Sequence, residues 1–535
     1  MRRLLTLIAV VAVSAGLLTG CVSSSDNTNT TDGLPNDSQT LRVLAGSEVK
    51  DMVPILASAA DEIGVKVVFD YTGTLSGTEL VASGGAAGTY DATWFPNNRY
   101  LSLLPGASTA ISSSVKIMSS PVVFGLRSSV ADSLGWNSKP PTWAEIAEAA
   151  SKGEFTYGMT NPAASNSGFS ALVAVATALS GTGSALTAAD ISKVTPGLTT
   201  FFTGQKLTAG SSGFLADTYL KKPDVVDGLI NYESVLKGLN VPGEPLSIIT
   251  PSDGVVTSDY PLTLLSSADS SKKALFDKLT TWLTTDAVQH RIVNDTHRRP
   301  GIPGIDTGST FPKGVLFETP FPNTLDVANS LISTYLDTVR APAQTLFVLD
   351  TSGSMEGERL DALKQALTNL AGADDTTVGG FAQFRNRERV TLVPFNSRPE
   401  TPVVVDVPET DKASALDEIR GVADGLQAGG GTAIYDSLES AYRLALKQKA
   451  ERPDTFVSIV LMTDGENTDG ATVSDFETAY RELGAPAQSI PTFVVLFGNA
   501  NVDELKSVAA LTGGQTFDAL NGNLAGAFQE IRGYQ

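Results

Sequence analysis

Cysteine and histidine are almost missing from this chain. Its 535 residues include one cysteine, Cys21, and two histidines, His290 and His297. A zinc site built from Cys and His ligands is therefore close to excluded. A Ser-His-Asp triad would have to draw on two histidines that share one helical segment. If Cys21 is consumed by modification, as its setting below implies, no cysteine nucleophile remains. The chain also lacks a G-x-x-x-x-G-K-[ST] phosphate loop, a G-x-G-x-x-G after a strand and a G-x-S-x-G elbow. Positive charge is scarce too: 38 Lys and Arg face 58 Asp and Glu, a net charge of −20. So acidic a surface argues against a nucleic-acid partner. It is compatible with cation binding and with solubility outside the cell.

What is present is enough for two or three folded domains. Hydrophobic residues make up 42% and charged residues 18%, so most of the chain should fold. Met1-Arg2-Arg3 is a short basic start, and an apolar segment of signal-peptide length follows to Leu18. Leu18-Thr19-Gly20-Cys21 resembles a bacterial lipobox. The resemblance implies a signal peptide over 1–20, cleavage before Cys21 and a lipid on its sulfur. The mature protein would then be anchored to the membrane by acyl chains, with no spanning helix. Residues 21–39, rich in Ser, Asn, Thr, Asp and Gly, read as a flexible tether.

From residue 40 the pattern is α/β. Short apolar strands are expected over 41–44, 65–69, 90–94, 121–126 and 155–159, with helices between several of them. Thr142 is placed as an N-cap ahead of Trp143-Ala144-Glu145. Hydroxyl-rich turns follow several strands, notably Thr72-Gly73-Thr74-Leu75-Ser76 and Ser165-Asn166-Ser167-Gly168. This order resembles the type 2 periplasmic solute-binding proteins of ABC importers. The resemblance implies a bilobal domain over 40–308, with chain crossings near 120–127 and 249–262. It also implies a cleft between the lobes for a small-molecule ligand. Helix N-termini that face such a cleft carry free N–H groups. The candidate ligand-binding residues are Ser47, Thr74, Ser76, Ser165, Asn166, Ser167 and Tyr260. A connecting segment, 309–341, contains a helical pattern with Val327, Leu331, Tyr335 and Val339 on one face. The sequence leaves open which domain that helix joins.

The remainder, 342–535, alternates cleanly. Strands are expected over 345–349, 390–394, 402–405, 456–462, 493–497 and 515–517. Helices are expected over 359–370, 413–426, 433–449, 473–483, 502–511 and 524–531. Such alternation implies a mainly parallel six-stranded sheet, doubly wound with helices on both faces. The strand near 402 follows Arg398-Pro399 so closely that it should be an antiparallel edge. At the carboxyl end of the first strand lies Asp350-Thr351-Ser352-Gly353-Ser354, a D-x-S-x-S loop. Thr432 follows Gly429-Gly430-Gly431, and Asp464 ends the 456–462 strand. Carboxylate and hydroxyl oxygens of this kind suit a hard cation. In an open α/β sheet, ligands bind at the carboxyl ends of strands.

This ordered set resembles the metal-ion-dependent adhesion site of von Willebrand factor A (VWA) domains. The resemblance implies that Asp350, Ser352, Ser354, Thr432 and Asp464 hold a divalent cation, Mg²⁺ first, with Mn²⁺ and Ca²⁺ as alternatives. It further implies a protein partner that supplies a carboxylate to the metal. Glu356 and Glu466 lie close by in sequence. No catalytic residues are expected. The whole then reads as a lipid-anchored, extracytoplasmic, non-enzymatic binding protein at the cell membrane. The alternative is a solute receptor of an ABC importer with an accessory VWA domain.

Overall fold

The computed structural model describes residues 37–312, 314–498, 501–520 and 523–535. The expected signal peptide, Cys21 and nearly all of the expected tether lie outside the described residues. Among those described, no helix is long and apolar enough to cross a membrane.

Among the described residues, three sheets organise the fold. The first has the strand order Lys66–Tyr71, Thr40–Ala45, Ala92–Trp94, Pro261–Leu265, Ile111–Lys116. Its first three strands run parallel, and Pro261–Leu265 is antiparallel to both its neighbours. The second sheet is built around Met118–Arg127. This long strand pairs antiparallel with Gly228–Tyr232, Leu246–Ile249, Thr257–Ser258 and Arg299–Pro300. The chain thus passes from the first sheet to the second at Ile117 and returns between Ser258 and Pro261. Tyr260, on the return, sits at φ 39°, a conformation rare for a bulky residue. Thr142 caps its helix through a reciprocal pair: its hydroxyl accepts from Glu145 N at 3.1 Å, and its own N–H donates to the Glu145 carboxylate at 2.7 Å.

The third sheet has the order Val403–Asp406, Arg389–Phe395, Ala343–Asp350, Phe456–Thr463, Thr492–Leu496, Thr516–Asp518. All pairs are parallel except the edge strand Val403–Asp406, which is antiparallel as its short connection predicts. Ala343–Asp350 is buried along its whole length. Alternation explains this: Phe347 and Leu349 pack with Leu363, Leu367 and Phe528 on one face. Leu346 and Val348 pack with Leu438, Tyr442 and Val508 on the other.

The connecting helix Leu325–Thr334 continues as a wider turn, Tyr335–Val339. Its Ala328, Leu331, Ile332 and Tyr335 join the core of the second lobe, and the Tyr335 ring lies 5.0 Å from that of Phe202. A short helix, Thr377–Ala382, was not foreseen. Its Gly379-Gly380 pair carries no apolar periodicity to betray it.

Behind this connector sits a buried ionic cluster. Glu388 receives hydrogen bonds from Arg532 at 2.7 and 2.8 Å and pairs with Arg340. Burial alone would raise the Glu388 carboxyl, but the two guanidinium groups hold it below the usual carboxylate range. Burial, with Arg340 alongside, also loosens the hold of Arg532 on its proton. Arginine starts from so high a value that it remains charged. Glu388→Ala would leave two buried cations without their partner, and should cost about 3–5 kcal/mol in denaturant unfolding. A group with a depressed folded value stabilises above its unfolded value, 4.5 here. Stability should therefore be lost as pH falls through the lower folded value in the wild type, with that component absent from Glu388→Ala.

Candidate metal site and solute cleft

Two adjacent parallel strands deliver the two carboxylates. Leu349 pairs with Met462, so Asp350 emerges beside Thr463 and the turn that begins at Asp464. Both aspartates are fully buried. Asp350 Oδ1 accepts from Ser352 N at 2.8 Å, and Oδ2 accepts from the Thr463 hydroxyl at 2.6 Å. The Ser352 and Ser354 hydroxyls lie 3.0 Å apart, and Ser354 donates to Asp464 Oδ1 at 2.7 Å. Hydroxyl and carboxylate oxygens from two strand ends thus form one connected chain. Burial raises the Asp350 carboxyl, and the nearby Asp464 charge adds to the effect.

Thr432 comes from a third loop. Its backbone is fixed: Thr432 N donates to Thr468 Oγ1 at 2.9 Å, and its carbonyl accepts from Thr468 N at 2.9 Å. Gly353 N bonds the Gly430 carbonyl at 3.0 Å and Gly429 N bonds the Thr351 carbonyl at 2.9 Å, which draws this loop against the D-x-S-x-S turn. The Thr432 hydroxyl takes part in none of these bonds. Glu356 and Glu466 are exposed at the rim.

Sequence reasoning passed over two contributors. Thr463, one residue past the expected 456–462 strand, carries no mark in the sequence that sets it apart. Arg359, in the first turn of the helix Glu358–Thr368, forms an ion pair with Asp464. A basic residue early in a helix runs against the helix dipole, and that mismatch was the available signal. As a donor set, the five residues fit a hard cation: every side-chain donor is oxygen, two are carboxylates, and the buried Asp350 lacks a full counter-charge. Among the described residues no three His, Cys, Asp or Glu side chains cluster as a metal site. The set is dominated by hydroxyls instead. Arg359 supplies positive charge to the same carboxylate a cation would use.

The solute cleft is a cavity of about 380 Å³, within the range of small-ligand pockets. Ser47, Thr74, Ser76 and Ser165 line it. Asn166, Ser167 and Tyr260 do not. Asn166 is spent on Asn97, Ser170, Tyr232 and Ser258, and Ser167 on Thr160, Ser165 and Ser212. Tyr260 is fully buried, with the Arg298 guanidinium 4.8 Å from its ring centre.

The profile of a family described as bacterial extracellular solute-binding protein matches residues 41–295. That of the von Willebrand factor type A domain matches residues 346–530. This chain joins a solute-binding domain to a VWA domain. Among curated proteins, inter-alpha-trypsin inhibitor heavy chain H4 of Bos taurus is 31% identical over 134 residues, 24% of this chain and 13% of that protein. An uncharacterised protein of Synechocystis is 28% identical over 181 residues, 32% of this chain and 36% of that protein. The chain therefore spans well under half the length of these curated relatives. Among solved structures, a von Willebrand factor type A protein from Catenulispora acidiphila aligns at TM-score 0.29 and 18% identity, covering 36% of this chain and 43% of that one. A periplasmic thiamin-binding protein aligns at TM-score 0.44 and 13% identity, covering 57% of this chain and 98% of that one.

The VWA ion pair gives a direct prediction. Arg359→Gln removes the competing charge from Asp464. Its melting temperature should rise more on Mg²⁺ addition than that of the wild type, as read by scanning fluorimetry. Saturation at about a hundred times Kd would add about 2.7 kcal/mol. Equal shifts in the two proteins would contradict a shared carboxylate.

Proposed function

We propose that this is a lipid-anchored extracytoplasmic binding protein whose VWA domain grips an acidic group of a protein partner through a divalent cation. Asp350, Ser352, Ser354, Thr432 and Asp464 would hold the ion, with Mg²⁺ the first choice. The observation that carries this reading is the hydroxyl chain linking two buried carboxylates from neighbouring strand ends. When bound, the cation would supply residual positive charge and a free coordination position for a visiting carboxylate. The residues themselves do the rest. Thr463 and Ser352 N orient Asp350, while Ser354 and Arg359 orient Asp464. Thr432 stands on a separate loop, so its hydroxyl can engage or withdraw when the backbone bonds that hold that loop to Thr468 and to the D-x-S-x-S turn give way.

The role is binding rather than catalysis, because the site residues include no base or nucleophile poised to act on a substrate. An outside location fits the family description of the first domain and the acidic surface, and Cys21 would provide the anchor. A second reading, a solute receptor with an accessory VWA domain, is favoured by the hydroxyl-lined cavity.

Pull-down of surface proteins in Mg²⁺ and in EDTA tests the leading reading. Capture should depend on Mg²⁺ and should fall at least tenfold for Asp350→Ala. Partner recovery indifferent to both chelator and substitution would remove the metal-mediated mechanism and leave the receptor reading.

A further inference from the structure

The mouth of the solute cleft is partly covered, and the cover belongs to the same chain. The cavity walls come from the two lobes on one side and from the VWA domain on the other, where Gln529, Glu530 and Tyr534 contribute. Tyr534 is almost fully buried. Its ring meets Phe214 of the second lobe edge-on at 5.0 Å, while Phe493 and Phe517 hold it from behind at 5.5 and 5.4 Å. Asn161 Nδ2 of the same lobe donates to the Arg532 carbonyl at 3.4 Å.

The contact is close enough to need glycine on both sides. A Cβ on Gly210 would stand 2.5 Å from the Tyr534 ring. One on Gly533 would stand 2.8 Å from Ala164 Cβ and 3.2 Å from Gly210 Cα. Neither glycine has a positive φ. Close approach, and not backbone freedom, is therefore the reason for the small residue at each.

The first lobe is held as well. Glu79, in the helix Thr74–Ala82, accepts from Thr377 N at 2.9 Å and Val378 N at 3.0 Å. A carboxylate of the first lobe thus caps the opening turn of a VWA helix. Glu530, in the same C-terminal helix, lines the cavity and is exposed.

We infer that the cleft mouth is a docking surface for the VWA domain of the same chain, which bridges both lobes and narrows the entrance to the solute cavity beneath its C-terminal helix. A small polar solute gains full access to the hydroxyls below when that domain lifts. Opening of the lobes and seating of the VWA domain are then one coupled event, independent of whether a cation occupies the VWA site.

Hydrogen exchange on the whole chain, with two variants, tests this. Gly210→Leu with Glu79→Ala pushes against Tyr534 and removes the helix cap. Backbone amides of residues 72–76 and 163–165 should exchange at least tenfold faster, while core strands such as Ala343–Asp350 keep their protection. Phe214→Ala with Glu79→Gln loosens the ring contact and the cap without adding atoms to the seam, and should speed exchange at the same amides. Unchanged exchange in both variants would overturn the docking. Loss of protection throughout the first variant would mark unfolding, and the second variant would then decide alone.

Discussion

Two aspartates with no solvent contact, Asp350 and Asp464, stand at neighbouring strand ends, and the VWA domain is arranged to make that pairing tolerable. Like charges this close and this buried repel unless something answers them. Here the answer is a run of hydroxyls and one guanidinium: Thr463 and Ser352 N on Asp350, Ser354 and Arg359 on Asp464. The parallel register of the central strands puts the carboxylates side by side. The Gly429-Gly430-Gly431 loop closes over them through backbone bonds. A cation would offset the same repulsion more fully, which ties the metal reading to an energetic need of the fold.

The sheet beneath the site was largely legible in the sequence. Continuous apolar runs such as Leu346-Phe347-Val348-Leu349 end in acidic or hydroxyl-rich turns, and only a buried parallel strand satisfies both features at once. The antiparallel edge at Val403–Asp406 was legible from a loop too short for a crossover. Donor types at the site were legible too, because spacing fixes which side chains share a turn. Arg359 was not, since its role depends on a strand more than a hundred residues away in the chain. The same limit applies in the first domain. Ser and Asn at helix starts look alike in sequence, yet Ser165 lines the cavity while Asn166 is consumed by four buried partners, Asn97, Ser170, Tyr232 and Ser258.

What sequence periodicity cannot carry at all is the seam between domains. Gly210 and Gly533 are small because two surfaces meet there, and nothing local says so. The connecting helix packs into the second lobe, and Arg340 just after it pairs with Glu388, which also accepts from Arg532 at the end of the helix Leu524–Arg532 that faces the cleft. Connector, C-terminal helix and cleft mouth are therefore mechanically continuous. The ionic cluster at Glu388 gives this junction its rigidity, since a buried charge network tolerates little misalignment.

Anomalous diffraction from crystals grown with Mn²⁺ decides whether the two buried aspartates and their hydroxyls form a cation site. One strong peak in contact with Asp350, Ser352 and Ser354, with Arg359 displaced from Asp464, is the expected outcome. A map with no peak there, and Arg359 still paired with Asp464 at saturating Mn²⁺, would mean that these residues hold no cation.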